Sequence, residues 1–170
     1  MLVRRGLTAG LGEAPSGPVL EAALAAFHRC YRANLFNASR LYPGVPETLR
    51  DLRGRGIVLG CITNKPQAYT APLLEQAGIA GSLDFAISGD TFETKKPDAK
   101  PLLGAADKHG IAPADAVMIG DSKNDRDAAR SAGFGFIFAA YGYASPDDPE
   151  LNEADAVLEA FSGLSELLSG

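Results

Sequence analysis

The chain has 170 residues, 46% of them apolar and 22% charged, which is the composition of one folded domain with a sizeable core. Its net charge of -5 and the absence of any basic run argue against nucleic acid or an anionic membrane as the main partner. No stretch has the length and apolar character of a signal peptide or a membrane span, so a soluble cytoplasmic protein is expected. Cys30 and Cys61 lie in apolar patterns and are predicted to be buried thiols, not a disulfide or a metal pair.

The opening of the chain is predicted to be a loop, because residues 1–18 hold several glycines and two prolines. The next segment, 19–34, has apolar residues at helical spacing, among them Leu20, Leu24 and Tyr31, and predicts an amphipathic helix.

From residue 42 onward, apolar runs and amphipathic segments alternate. The predicted strands are 57–62, 85–88, 116–119, 134–138 and 156–158. The predicted helices are 46–54, 67–77, 99–109, 124–132 and 162–168. This alternation predicts an α/β fold with a doubly wound parallel sheet, in which ligands bind beyond the carboxyl ends of the strands.

The most informative strand end is that of 116–119, which is followed by Gly-Asp-Ser-Lys-Asn-Asp. Gly120 is expected to allow a sharp backbone turn, and Asp121 then points beyond the strand. Asp125 lies one helical turn later, beside the free N–H groups of the next helix. Two carboxylates at this spacing favour a metal site, and the alternative is an ordinary turn in which Asp125 caps the helix.

Two further groups follow strand ends. Thr63 and Asn64 stand just before a predicted helix, where a hydroxyl, an amide and the helix N-terminus suit a phosphate, although a helix cap explains them equally well. Lys96 precedes a proline, which narrows the backbone conformation and suits a positioned ammonium group. Its neighbour Lys95 is predicted to be a solvated surface lysine.

In this order, the three groups resemble the motifs of the haloacid dehalogenase superfamily of aspartate-dependent phosphohydrolases. Ile62-Thr63-Asn64 resembles its second motif, Lys96-Pro97 its third and the Gly120–Asp125 string its fourth, within a resemblance that spans 42–168. Together with Tyr141-Gly142-Tyr143, these strings look most like those of phosphoglycolate phosphatases.

The resemblance implies Mg²⁺-dependent hydrolysis of a small phosphorylated acid or sugar, above all 2-phosphoglycolate, through an aspartyl-phosphate. It implies that Thr63, Asn64 and Lys96 bind the phosphoryl group, with Thr63 and Lys96 taking part in catalysis. It also implies that Asp121 binds Mg²⁺ and that Asp125 acts from the outer shell. A mutase or a dehalogenase on the same fold is the nearest enzymatic alternative.

The resemblance also implies a domain division, with a partial helical cap at 1–41 and the α/β core at 42–170. One motif of the superfamily is missing, because no Asp-x-Asp-Gly-Thr string follows an apolar strand anywhere in the sequence. The only Asp-x-Asp is Asp125-Arg126-Asp127, inside a predicted helix, and Asp90 at another strand end is predicted to cap a helix or serve a loop.

Three expectations follow from the missing motif. The nucleophile is expected to lie outside this chain, which would then be a fragment or have a misassigned start. The alternative is a catalytically inactive phosphate-binding or regulatory module on the same fold. The first strand of the core would also be missing, so we expect closure of the resulting gap, its filling by another segment, or marginal stability.

Overall fold

The computed structural model describes residues 2–143 and 153–169, and the chain divides into two compact units, 1–39 and 40–170. The first unit consists of helix α1 (Leu2–Leu11) packed against helix α2 (Gly17–Ala33). None of the described helices has the length and apolar character needed to cross a membrane.

The predicted loop over 1–18 is wrong, since most of that segment forms α1. Val3 and Leu7, four residues apart in this helix, are partly buried, so it has an apolar stripe that packing can stabilise. A Cβ added to Gly6 would have no neighbouring atom within 4 Å, so no packing contact depends on this glycine. Its only effect on the helix is the low intrinsic helix propensity of glycine. Tertiary contact with α2 therefore outweighs the glycine content.

The second unit has the predicted alternation of helices and strands. Its helices are α3 (Val45–Gly54), α4 (Gln67–Gln76), α5 (Lys100–His109), α6 (Lys123–Ala132) and α7 (Leu164–Leu167). Its strands are β1 (Gly60–Ile62), β2 (Phe85–Ile87), β3 (Val117–Gly120), β4 (Gly135–Ala139) and β5 (Ala156–Leu158). All strand pairs are parallel, so the predicted α/β class is confirmed.

Two of the predicted helix ends depend on glycine conformation. Gly110 follows α5 with a φ of 66°, and Gly133 follows α6 with a φ of 75°. Both are left-handed, which lets their N–H groups bond back to the last turn of each helix.

The described strands form two separate parallel sheets, β1–β2 and β3–β4–β5. In the first, Gly60 is aligned with Phe85, and in the second, Val117 is aligned with Gly135. Within the described residues, no hydrogen bonds join β1 to β3, so direct closure between these two strands does not occur. The consequence for stability stays a prediction.

Although they do not pair with each other, β3 and the segment formed by β1 and the residue before it border the same two apolar clusters. Ile62 of β1 and Met118 of β3 pack against one, and Leu59 and Ile119 pack against the other. The first cluster comprises Leu102, Ala106, Ala128, Ala129, Ala132, Phe134, Phe136 and Phe138, and the second Leu52, Ile137, Leu158 and Leu164. Most of β4 is buried, whereas β1 and β3 are only partly buried, as expected of strands that each have an open edge.

The prediction that both cysteines are buried thiols is wrong for Cys30. Both are free thiols, but Cys30 is exposed, whereas Cys61 in β1 is partly buried. The partly buried stripe of α2 includes Leu20, Leu24 and Tyr31, and Cys30 lies outside it. Burial raises the pKa of the Cys61 thiol, against the opposing charge of Lys96.

Asp155 connects the start of β5 to α6 and β4. Its Oδ2 accepts hydrogen bonds from Phe136 N at 2.7 Å and Arg130 Nη1 at 2.8 Å, and its Oδ1 accepts one from Arg130 Nη2 at 2.9 Å. These hydrogen bonds stabilise the charged carboxylate and so lower the pKa of Asp155. The hydrogen bond from Arg130 contributes most.

We expect Asp155→Asn to lower the free energy of unfolding at pH 7 by only on the order of 1 kcal/mol, since the pair is exposed and its charges are screened by water. Because the pKa is lowered on folding, this contribution is present above the ordinary carboxyl pKa and is lost as the pH falls through the lowered one. Urea unfolding at pH 7 and at about pH 3 should show the difference shrinking at the lower pH. The control, Asp51→Asn, removes an exposed pair with Arg55 and should change little at either pH.

Candidate active site

Lys96 lies at the centre of the candidate site. Its Nζ donates hydrogen bonds to Ile62 O at 2.5 Å and to Asp125 Oδ1 at 2.6 Å. Lys96 is 8% exposed and Asp125 7%, whereas Lys95 is exposed, as predicted. Two of the three ammonium N–H bonds thus join the end of β1 to the start of α6, and within the described part of the chain the third is left to donate to a ligand.

Asp125 is held at both carboxylate oxygens. Oδ1 accepts from Lys96, and Oδ2 accepts from Ser122 Oγ at 2.6 Å. Ser122 is also the N-cap of α6, where its side chain accepts from Asp125 N at 3.4 Å. The alternative in which Asp125 itself caps the helix is therefore wrong. The Ser-x-x-Asp spacing resembles a capping box and could have identified Ser122 from the sequence.

Glycine is required at position 120 because a neighbouring side chain occupies the space of a Cβ, not because of its φ angle. Its φ is not among the positive values of the described glycines, so the expected sharp turn is not what demands this residue. A Cβ at this position would lie 2.5 Å from Cγ of Asp125 and 2.6 Å from its Oδ2. The glycine allows the Asp125 carboxylate to lie directly against the end of β3.

Asn64 and Thr63 lie beside Lys96 at the end of β1. Asn64 Nδ2 donates to Lys96 O at 2.8 Å, and Asn64 Oδ1 is buried without a hydrogen-bond partner among the described residues. Thr63 Oγ1 accepts from Lys65 N at 3.1 Å. One N–H of the Asn64 side-chain amide thus holds the backbone of Lys96. The predicted contact with phosphate would be made by the second N–H of the same amide.

The N-terminus of α4, expected to help bind phosphate, is already capped. Asp90 Oδ1 accepts from Gln67 N, the first residue of the helix, at 2.8 Å. The predicted capping role of Asp90 is confirmed, and this amide is not available to an anion.

Asp121 is the carboxylate best placed for a cation. It is partly buried, and its Oδ2 accepts from Tyr143 N at 2.8 Å, which leaves Oδ1. The described residues contain no cluster of three or more His, Cys, Asp or Glu side chains that could hold a metal. Mg²⁺ commonly binds through one or two carboxylates with water and substrate phosphate oxygens, and a single hard oxygen donor beside the predicted phosphate site fits such an ion.

The structure therefore places Lys96 in direct contact with both Asn64 and Asp125, while Thr63 directly follows β1 and Asp121 directly follows β3. Their roles toward phosphate and metal stay predictions. The contacts of Ser122 and of the Tyr143 amide are not predicted by the sequence patterns, and a backbone N–H, which every residue except proline has, leaves no sequence signal.

Comparison with known proteins confirms the resemblance noted in the sequence. The haloacid dehalogenase-like hydrolase family matches residues 12–139. A phosphoglycolate phosphatase of Nitrosospira multiformis is 39% identical over 167 residues, which cover 98% of this chain and 74% of that protein. One from Nitrosococcus oceani is 40% identical over 168 residues, or 99% of this chain and 75% of the relative.

The fold agrees with this result. The crystal structure of a predicted phosphoglycolate phosphatase from Haemophilus somnus superposes with a TM-score of 0.89 and 28% identity, covering 97% of this chain and 73% of the other. The chain therefore belongs to the haloacid dehalogenase-like hydrolase family.

Proposed function

We propose that this chain forms the phosphate- and cation-binding part of a phosphatase that acts on a small phosphorylated acid, with 2-phosphoglycolate as the first candidate. The observation that carries the proposal is the buried Lys96 ammonium at the strand ends, beside Asn64 and Asp125. The names of the curated relatives support the choice of substrate.

The residues at the site have separate tasks. The third N–H of Lys96, the Thr63 hydroxyl and the second amide N–H of Asn64 would donate to the phosphoryl oxygens. Such fixed donors stabilise the charge of a transferring phosphoryl group better than water does, because they need no reorganisation. Mg²⁺ bound to Asp121 would supply further charge neutralisation.

The nucleophile of this proposal is a carboxylate outside the 170 residues. Asp125 has both oxygens bonded, Asp90 caps α4 and Asp121 is assigned to the cation. The absence of an Asp-x-Asp-Gly-Thr string also favours a second candidate, an inactive module that binds a phosphorylated ligand. Binding and hydrolysis are therefore tested separately.

The test of binding is calorimetry with 2-phosphoglycolate and Mg²⁺. Lys96→Met should weaken binding by about 10- to 100-fold, since a charge-assisted hydrogen bond of roughly 1.5–3 kcal/mol is lost. Thr63→Val should also weaken it, and it keeps the Lys96–Asp125 pair intact if Lys96→Met folds poorly.

The matched control is Lys95→Met, which removes the same charge from an exposed neighbour and should leave the affinity within about twofold. Equal losses for Lys95→Met and Lys96→Met would show that only general electrostatic attraction is at work. An unchanged affinity in Thr63→Val would remove the hydroxyl from the site.

A further inference from the structure

The loop after β4 reaches back to the acidic end of β3. Tyr143 N donates to Asp121 Oδ2 at 2.8 Å, a contact between residues 22 positions apart in the sequence. Within the loop, Gly142 N donates to Ala139 O at 3.0 Å and closes a turn directly after the strand. The backbone of this loop therefore lies against the carboxylate assigned to the cation.

Gly142 is the residue that permits this approach. A Cβ added to it would lie 2.5 Å from Cβ and 2.8 Å from Cγ of Asp121, distances that real side chains essentially never show. Its φ is not among the positive values of the described glycines, so alanine would suit the backbone angle. The requirement for glycine is thus the space taken by the Asp121 side chain, and any larger residue must displace one or the other.

Tyr141 fixes the base of the loop. Its ring contacts Tyr42 with centroids 4.7 Å apart and Phe161 at 6.5 Å, both edge-on. Burial, with smaller contributions from Tyr42 and Asp121, raises the pKa of Tyr141 to about 12, so the phenol stays neutral in the aromatic cluster. By contrast, the Tyr143 side chain is 98% exposed, and only its backbone contacts Asp121.

We propose that Gly142 and the Tyr143 amide are positioning groups for Asp121, which hold its Oδ2 so that Oδ1 is presented to a divalent cation. The inference rests on the proposed function, because it assigns the cation to Asp121. Its physical basis is that a carboxylate which binds a metal through one oxygen is oriented by a hydrogen bond to the other. Loss of such a partner typically costs 10- to 100-fold in metal affinity.

The test measures Mn²⁺ affinity from the electron paramagnetic resonance of free Mn²⁺, with no substrate and no turnover. Mn²⁺ suits because it shares the oxygen preference of Mg²⁺. Gly142→Ala should weaken binding by about 10- to 100-fold. The control, Gly54→Ala, places the same methyl group where no atom lies within 4 Å and should bind as the wild type does.

A second pair of variants isolates the amide. Tyr143→Ala keeps the N–H and removes the exposed ring, whereas Tyr143→Pro removes the N–H as well. Tyr143→Pro should bind Mn²⁺ at least about tenfold more weakly than Tyr143→Ala. This comparison also decides the matter if Gly142→Ala fails to fold.

Wild-type affinity in both Gly142→Ala and Tyr143→Pro would overturn the inference. Absence of Mn²⁺ binding by the wild type would overturn it too, because Asp121 would then not be a cation ligand. If the affinities fall as expected but a restored enzyme hydrolyses no phosphate ester, the proposed function fails and this inference stands.

Discussion

Asp125→Ala should lower the free energy of unfolding by about 3–5 kcal/mol, because it leaves the Lys96 ammonium buried without a counter-charge. The two groups are 2.6 Å apart, with side chains 9% and 10% exposed, so each charge depends mainly on the other for its compensation. Ser122 also loses the acceptor of its hydroxyl hydrogen bond. Urea unfolding at neutral pH measures the change.

A double-variant cycle separates this electrostatic cost from lost packing. Lys96→Met/Asp125→Ala removes both charges and should be more stable than Asp125→Ala alone, although it has one more substitution. Glu93→Ala, which breaks the exposed pair with Lys100, should leave the unfolding midpoint unchanged. Additive losses in the cycle would mean that the two charges do not depend on each other.

The sequence predicts the second unit well because its strands are apolar runs and because two of its helices end at glycines, Gly110 and Gly133. It fails at α1, because local composition favours a loop there, whereas packing against α2 stabilises a helix. It also fails at Cys30, since the apolar pattern of α2 includes positions outside the partly buried stripe. Both errors concern tertiary contacts that local patterns do not contain.

The candidate site was predicted as a set of residues but not as a set of contacts. Position after the predicted strands, together with the family resemblance, selected Asn64, Lys96 and Asp125, which the structure brings together. It could not reveal that Asp125 is engaged by both Lys96 and Ser122, or that a main-chain amide orients Asp121. Such contacts depend on distances between separate elements, which spacing along one chain does not specify.

The 170-residue chain should release no inorganic phosphate from 2-phosphoglycolate with Mg²⁺ at neutral pH. Attack on phosphorus needs a free carboxylate in line with the leaving group, and a second acid must protonate that group. Both carboxylate oxygens of Asp125 accept hydrogen bonds, and Asp90 accepts one from the first residue of α4. A sensitive phosphate-release assay should therefore give the rate of the buffer blank.

Fusing an apolar strand that ends in Asp-x-Asp-Gly-Thr, with the further cap residues that the resemblance predicts, ahead of residue 1 should raise phosphate release to about 10⁴ times the buffer blank or more. The open edges of β1 and β3, which border the same two apolar clusters, are where this strand should pair. Pairing would satisfy both edges, so the fusion should also unfold at a higher urea concentration than the chain alone.

In the matched control, asparagine replaces the first aspartate of the fused Asp-x-Asp-Gly-Thr string. This variant should be as stable as the active fusion but should release no phosphate. Lys96→Ala in the active fusion should lower turnover by orders of magnitude, because a buried charge facing the phosphoryl group is lost. Activity in the unfused chain that disappears with Asp90→Asn would identify Asp90 as the nucleophile and refute its assignment as a cap alone. A stable fusion that binds 2-phosphoglycolate but does not hydrolyse it would favour the binding module.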